Sequence, residues 1–362
     1  MPRYGKRDDT VVHEREPFNA EPTPAALDGQ RVTPTDSFFS RSHGPIPEID
    51  PGSWQLRVDG AVDRTLELPL DELRRSFASR TETVTLQCAG NRRDGLIQVR
   101  DIPGEHPWGR CAIGTARWTG VLLADVLRAA GVQPEARHIA FEAPDVSQLA
   151  HPPQPYGGSI PVSKAMAGDV LLAWKMNEEP LPPVHGAPLR AIVPGYIGAR
   201  SVKWLERVTA QRAPSANYFQ AVAYHVLPAT VEPSETNAAR GISLGPVSLS
   251  CEILRPGDDE VVPAGQVPVS GYAHVGADRT VVRVDVSADF GRTWCQAELS
   301  EQHNPSTWRL WRTSVDAAPG PLHIVARAWD DTGSTQPESA EQIWNPKGYM
   351  NNSWARVSLS VT

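Results

Sequence analysis

A chain of 362 residues with 40% hydrophobic content can bury more than one ordinary core, and its formal net charge of −7 excludes general affinity for nucleic acid, which needs a basic face. An anionic substrate would therefore need a local basic pocket. Four cysteines are too few for a disulfide framework; Cys251 and Cys295 could pair, but free buried thiols are expected. The first sixteen residues carry eight charges and no apolar run, so neither a secretory leader nor a membrane-spanning helix is visible, and a reducing, cytoplasmic location is expected.

Met1 to Gln30 is polar, with Glu21-Pro22-Thr23-Pro24 resisting regular structure, and is expected to be an arm or wrapped leader. In Ser37-Phe38-Phe39-Ser40-Arg41-Ser42-His43-Gly44-Pro45 two aromatics precede a basic cluster and a turn, as in a loop anchored by its phenylalanines. Trp54 to Val58 alternates as a strand, and Leu68 to Leu73 opens a short helix with proline and acids in its first turn.

The next strand, Thr83 to Gln87, delivers Cys88 at its mouth, followed by the small, turn-prone Ala89-Gly90-Asn91 and then Arg92-Arg93. Two permanent cations a few residues from a sulfur favour thiolate over thiol. A thiolate is a soft metal ligand, and paired guanidinium groups offer planar forks to an oxyanion. Metal and oxyanion together point to oxygen-atom chemistry.

Leu96 to Arg110 is expected to be a loop ending at Trp108, Thr119 to Ala130 an amphipathic helix stopped by Gly131, and His138 to Glu142 a strand leading to Pro144-Asp145. Ser163 is expected to cap a brief helix, Val170 to Met176 to form a buried strand, and Asn177 to Pro183 a turn. A second dense cluster follows: His185 to Arg190, Val193-Pro194-Gly195, and Gly198 to Trp204. Taken alone, His185 and Arg190 read as a capped turn and a strand-edge charge, beside a second cation at Lys203 and approachable backbone near Gly198. Pro228 to Gly245 reads as a linker. Beyond it, strand-like runs at Val247–Leu254, Gln266–His274, Val281–Ser287, Trp294–Leu299, Trp308–Thr313, Leu322–Trp329 and Ser353–Val361 predict an immunoglobulin-like β-sandwich.

The string Leu86-Gln87-Cys88-Ala89-Gly90-Asn91-Arg92-Arg93 resembles the molybdenum-binding signature of the sulfite oxidase family, in which the cysteine sulfur ligates the molybdenum of a molybdopterin cofactor. The resemblance runs from Thr35 to the C-terminus. It implies an α+β chain: an N-terminal arm (1–30), a mixed α/β molybdopterin-binding domain (31–230), and the immunoglobulin-like domain (245–362), which mediates dimerisation in that family. Phe39, Ser40, Arg41, Ser42 and His43 are similar to the family's Phe-x-Arg-Asn-His segment, with Ser42 in place of asparagine. Asp145, His185, Arg190, Ser201, Val202 and Lys203 match its cofactor cradle. Arg41, Arg93, Trp108, Tyr224 and Lys347 would surround the substrate. Two positions depart from the pattern: Lys347 stands where the family has arginine, and His225 follows Tyr224 where it has lysine. The implied activity is oxidation of sulfite to sulfate, with electrons passed to an external acceptor and no haem in this chain. Reduction of nitrate or an S-oxide, and a metal-free binding homologue, are the alternatives.

Overall fold

The computed structural model describes residues 3–232, 241–276 and 278–362. The N-terminal stretch is wrapped onto the protein: a hairpin of β1 (Val11–Glu14) and β2 (Asn19–Glu21) leads into the one-turn helix α1 (Pro24–Leu27), with Phe18 to Glu21 and Leu27 buried. Ala20 and Ser40 exchange both backbone hydrogen bonds, at 2.9 and 2.8 Å, which ties the hairpin to the Phe38–His43 segment.

The next strands, in chain order, are β3 (Gln55–Gly60), β4 (Leu66–Pro69), β5 (Ser79–Gln87), β6 (Ile113–Leu122), β7 (His138–Ser147), β8 (Gln154–Pro161), β9 (Leu171–Met176), β10 (Glu179–Pro180), β11 (Arg190–Ile192) and β12 (Arg207–Gln211). Between them lie α2 (Leu70–Ser76), α3 (Arg93–Val99), α4 (Leu123–Ala130) and α5 (Val162–Ala165). One five-stranded sheet has the order β4-β3-β12-β7-β8; in the other, also five-stranded, β10-β9-β6-β5 form a row and β11 pairs with β9. Leu56 and Val58 of β3, Val126 and Leu127 of α4, Phe141 of β7 and Val208 of β12 meet in one buried core.

Three local expectations are corrected. Residues 119–122 extend β6, and the helix begins only at Leu123. Gly120 explains this: a Cβ there would lie 2.0 Å from the Leu172 carbonyl oxygen, so glycine permits a close strand approach at the β6–β9 irregularity. The start of the expected 96–110 loop belongs to α3, whose Leu96 is buried with Ile102 and Trp344. Ser163 lies inside α5, and Pro161 occupies the cap position.

Across the expected linker, β13 (His225–Val226) pairs with β14 (Ile242–Ser243); residues 233–240 of that stretch lie outside the described ones. The C-terminal domain follows with β15 (Ser250–Arg255), β16 (Val261–Val262), β17 (Gly265–His274), β18 (Val281–Ser287), β19 (Cys295–Gln296), β20 (Glu298–Leu299), β21 (Arg309–Ala317), β22 (Gly320–Asp330) and β23 (Ala355–Val361). They form the sheets β15-β17-β21-β20 and β16-β23-β22-β18-β19, and Ile253, Val267 and Trp311 of the first pack with Val284, Ile324 and Val357 of the second. The single strand expected at Trp294–Leu299 is split, because the chain changes sheets there: β19 pairs with β18 and β20 with β21. All four cysteines are free, and Cys295 is exposed rather than buried.

The two domains are joined through Arg92. In a left-handed backbone conformation (φ 65°), it pairs with buried Glu252 at 2.6 Å and donates to the carbonyls of Ser353 and Trp354 at 2.7 and 3.1 Å. Nearby, Asn91 Nδ2 donates to the Tyr272 hydroxyl at 3.0 Å, and Asn351 Nδ2 donates to the Arg92 carbonyl at 2.7 Å.

Candidate active site

A pocket opens where the end of β5 meets the Phe38–His43 segment, the β7 bulge and the 185–204 cluster. Its lining includes Phe39, Ser40, Arg41, Ser42, His43, Cys88, Asp145, His185, Arg190, Ser201, Lys203 and Tyr224, all singled out from sequence.

Cys88 sits just past β5, its amide bonded to the Ala112 carbonyl at 2.9 Å and its sulfur accepting from the Gly90 amide at 3.4 Å. A Cβ at Gly90 would come within 2.7–2.9 Å of the Arg93 guanidinium, so a larger residue there would displace that side chain. Burial pushes the Cys88 thiol up, and Arg93 and Arg41 only partly oppose this. The nearby cations alone therefore do not make a standing thiolate, contrary to the reading from sequence. Coordination of a metal, which displaces the proton, would do so.

The cradle is built by reciprocal contacts. Asn19 Oδ1 accepts from the Ser42 amide at 2.7 Å and from Arg41 Nη1 at 3.3 Å, so the hairpin orients the pocket arginine. Ser42, where the family has asparagine, accepts from Lys203 Nζ through its hydroxyl at 2.7 Å. Arg190 donates to the carbonyls of His185 and Ser201 at 2.9 and 3.0 Å, and the Ser201 hydroxyl accepts from the Val193 amide at 3.0 Å. Gly198 lets its turn approach the end of β5, where a Cβ would be 3.2 Å from the Gln87 carbonyl. His43 lies over Tyr156 with ring centres 4.7 Å apart, and its Nε2 is 2.9 Å from the Tyr224 hydroxyl. Burial drives His43 well below the usual histidine value and raises Tyr224, so a neutral ring faces an un-ionised phenol.

Charge in the cavity is unbalanced. Arg41, Arg190 and Lys203 line it, with Asp145 as the one carboxylate among the lining residues. Asp145 is buried, and its Oδ1 has no hydrogen-bond partner among the described residues. Burial lifts this carboxyl to about 7 against the pull of Lys203. Burial and the neighbouring Arg190 together depress Lys203 well below the ordinary lysine value. An anionic ligand with polar ring atoms would relieve both, by pairing the cations and giving the orphaned Asp145 oxygen a partner. The residues therefore fit a phosphate-bearing pterin.

Four predicted residues lie elsewhere. Trp108 is fully buried and packs in the apolar cluster of Phe38, Phe39 and Cys88, so it supports the Cys88 turn from within and is not part of the cavity lining. The Val202 side chain is buried in the core, while its carbonyl accepts from the Ala191 amide at 2.8 Å. Arg93 and Lys347 sit beside the cavity: Arg93 donates to the carbonyls of Lys347, Gly348 and His106, and both side chains face Glu105. His225, the other departure, is buried at the edge strand β13.

Sequence reasoning missed Lys6, Asn19 and Tyr156. Lys6 is buried, and its ammonium lies 2.8 Å from His185 Nε2 while donating to the carbonyls of Thr35 and Phe38 at 2.8 and 2.7 Å. One signal was available: lysine is scarce here, five among 35 basic residues, so each is a candidate for a site that needs a compact ammonium.

Fold and pocket together define a molybdopterin-dependent oxidoreductase. The model of the oxidoreductase molybdopterin binding domain matches residues 43–219, and that of the Mo-co oxidoreductase dimerisation domain matches 245–362. Sulfite oxidase of Arabidopsis thaliana is 37% identical over 371 residues, covering 97% of this chain and 93% of that one. Mitochondrial sulfite oxidase of Homo sapiens is 41% identical over 362 residues, covering 97% of this chain but 66% of that protein, so the chain spans about two thirds of the human relative. Among solved structures, the sulfane dehydrogenase SoxCD from Paracoccus pantotrophus superposes with a TM-score of 0.81 at 26% identity, over 98% of this chain and 89% of that one. The chain belongs to the sulfite oxidase family, and its cofactor is molybdenum-molybdopterin.

Proposed function

We propose that the protein oxidises sulfite to sulfate and passes two electrons to an external acceptor, working as a homodimer assembled through its C-terminal domain and placed in the cytoplasm. The observation that carries this reading is the position of Cys88 in a cavity lined by Arg41, with the Arg93 guanidinium packed against Gly90 of the same turn. The human and Arabidopsis relatives named as sulfite oxidases support the substrate. The dimerisation-domain match supports the assembly, and the four free thiols are compatible with a reducing compartment.

In this reading Cys88 ligates the metal, and the cradle of Ser40 to His43, Asp145, His185, Arg190, Ser201 and Lys203 holds the pterin and its phosphate. The bound centre supplies the two-electron oxygen-atom transfer. Arg41 draws in the oxyanion and orients it by charge-assisted hydrogen bonds. With His43 in the tautomer that donates from Nε2 to the Tyr224 oxygen at 2.9 Å, the un-ionised phenol keeps its own proton to donate to the oxyanion at neutral pH.

The test is steady-state turnover of molybdenum-loaded protein with sulfite and a panel of acceptors, alongside Cys88→Ser. Sulfite-dependent reduction in the wild type and its loss in Cys88→Ser, with the unfolding midpoint unchanged, is the expected result. Loaded wild type that turns over nitrate but not sulfite would reverse the assigned direction. Wild-type turnover by Cys88→Ser would remove the cysteine from the metal.

A further inference from the structure

The loop Asp101-Ile102-Pro103-Gly104-Glu105-His106 brings a carboxylate to the cations beside the metal turn. Gly104 takes a left-handed turn (φ 79°), Ile102 is buried, and His106 Nε2 contacts Glu14 at 2.9 Å, so the loop is pinned on both sides of Glu105. The His106 carbonyl also accepts from Arg93 Nη1 at 3.0 Å. Glu105 Oε2 lies 3.3 Å from Arg93 Nη2 and Oε1 lies 3.5 Å from Lys347 Nζ, with the carboxylate side chain only 17% exposed. It is also within electrostatic reach of Arg41 and of the hydroxyls of Tyr224 and Tyr349. The Arg93 guanidinium is held in place by its Nε, which is shared between the carbonyls of Lys347 and Gly348, both at 3.1 Å, and its Nη2 is the edge that Glu105 occupies.

We propose that Glu105 is a specificity-determining residue that competes with the oxyanion for Arg93 and Lys347 and so keeps the pocket's affinity for dianions low. An anion entering beside Arg93 meets two cations already shared with a fixed negative charge. That charge repels a dianion twice as strongly as a monoanion at the same place. Weak binding of the sulfate dianion favours its release, and in a partly buried pocket the effect is screened less by salt than a surface charge would be. The assignment of sulfite as substrate rests on the proposed function, whereas the competition itself concerns any small oxyanion.

The test uses the molybdenum-loaded protein, with sulfate and nitrate as probes in calorimetric titration. Glu105→Gln keeps the shape and a hydrogen-bonding oxygen while removing the charge. Sulfate should bind about tenfold tighter and nitrate only about threefold tighter, the ratio expected when doubling the ligand charge doubles the change in log affinity. Glu105→Asp, which keeps the charge on a shorter stem, should fall between wild type and Glu105→Gln. Sulfate affinity within twofold of wild type, or equal shifts for the two anions, would overturn the proposal. If Glu105→Gln weakens both anions while Glu105→Asp binds as wild type, the carboxylate merely holds Arg93 in place, and the proposal also falls. Turnover of sulfite by the wild type is read separately, so failure of the substrate assignment stays distinct from failure of the competition.

Discussion

At the scale of single residues, Asp145 shows how the cradle is poised for a ligand. Burial holds its carboxyl at about 7, against an ordinary value near 3.9. The folded, cofactor-free protein keeps this proton where the unfolded chain has already lost it. The stability the group contributes is therefore complete below about pH 4 and is lost as pH rises through about 7. Asp145→Asn removes that loss: denaturant titrations should find the cofactor-free variant more stable than wild type at pH 8, on the order of 1–3 kcal/mol, with the two converging near pH 4. A wild-type advantage at pH 8 would mean that the carboxylate has a partner after all. The same site separates what was legible in sequence from what was not. Cys88 and its turn, and the cluster from His185 to Lys203, could be read because their chemistry is local and contiguous. Lys6 was marked only by the scarcity of lysine, since its partner His185 lies 179 residues further along the chain, a contact that no spacing encodes.

Among the elements, the β1–β2 hairpin changes meaning most between sequence and structure. Its composition indicated only a polar leader, yet it supplies Asn19 to Arg41 and Ser42, and Glu21 to the amides of Gly109 and Cys111 at 2.6 and 2.9 Å. Polar residues that serve as acceptors for distant backbone groups carry no periodicity, so pattern reading misses them. Asn19→Ala would leave the buried Ser42 amide and one Arg41 donor unpaired. The expected penalty is about 1–3 kcal/mol, seen as a lower unfolding midpoint together with reduced molybdenum retention. An unchanged midpoint would show that water replaces the side chain. Gly120 gives the reverse lesson for β6: the apolar spacing of 119–130 suits a helix, but the close approach of Leu172 settles its first part as strand.

For the whole molecule, the β-sandwich was legible because its strands alternate and are punctuated by turns, while the junction between domains was not. Two adjacent arginines divide the work there: Arg93 faces the pocket's edge and Arg92 grips the sandwich. Arg92→Met would strand Glu252, whose side chain is 4% exposed, leaving Arg110 3.9 Å away as its remaining cation. A loss of about 3–5 kcal/mol is expected, and Glu252→Gln in the same chain should recover part of it, as a double-mutant cycle by urea denaturation would show. A loss below about 1 kcal/mol would make the pair incidental to domain docking.

The path of the segment between Trp344 and Trp354 bears on how the protein is made. Met350 donates its amide to the Ala89 carbonyl at 2.8 Å, next to Cys88, and Gly348 packs so closely on Arg93 that a Cβ would fall 2.6 Å from its side chain. A ribosome that has just produced the Cys88 turn must still polymerise more than 250 residues before these contacts exist. The nascent chain therefore carries an unfinished site throughout most of its synthesis, and the finished one belongs only to a polypeptide whose 344–354 segment has already come home.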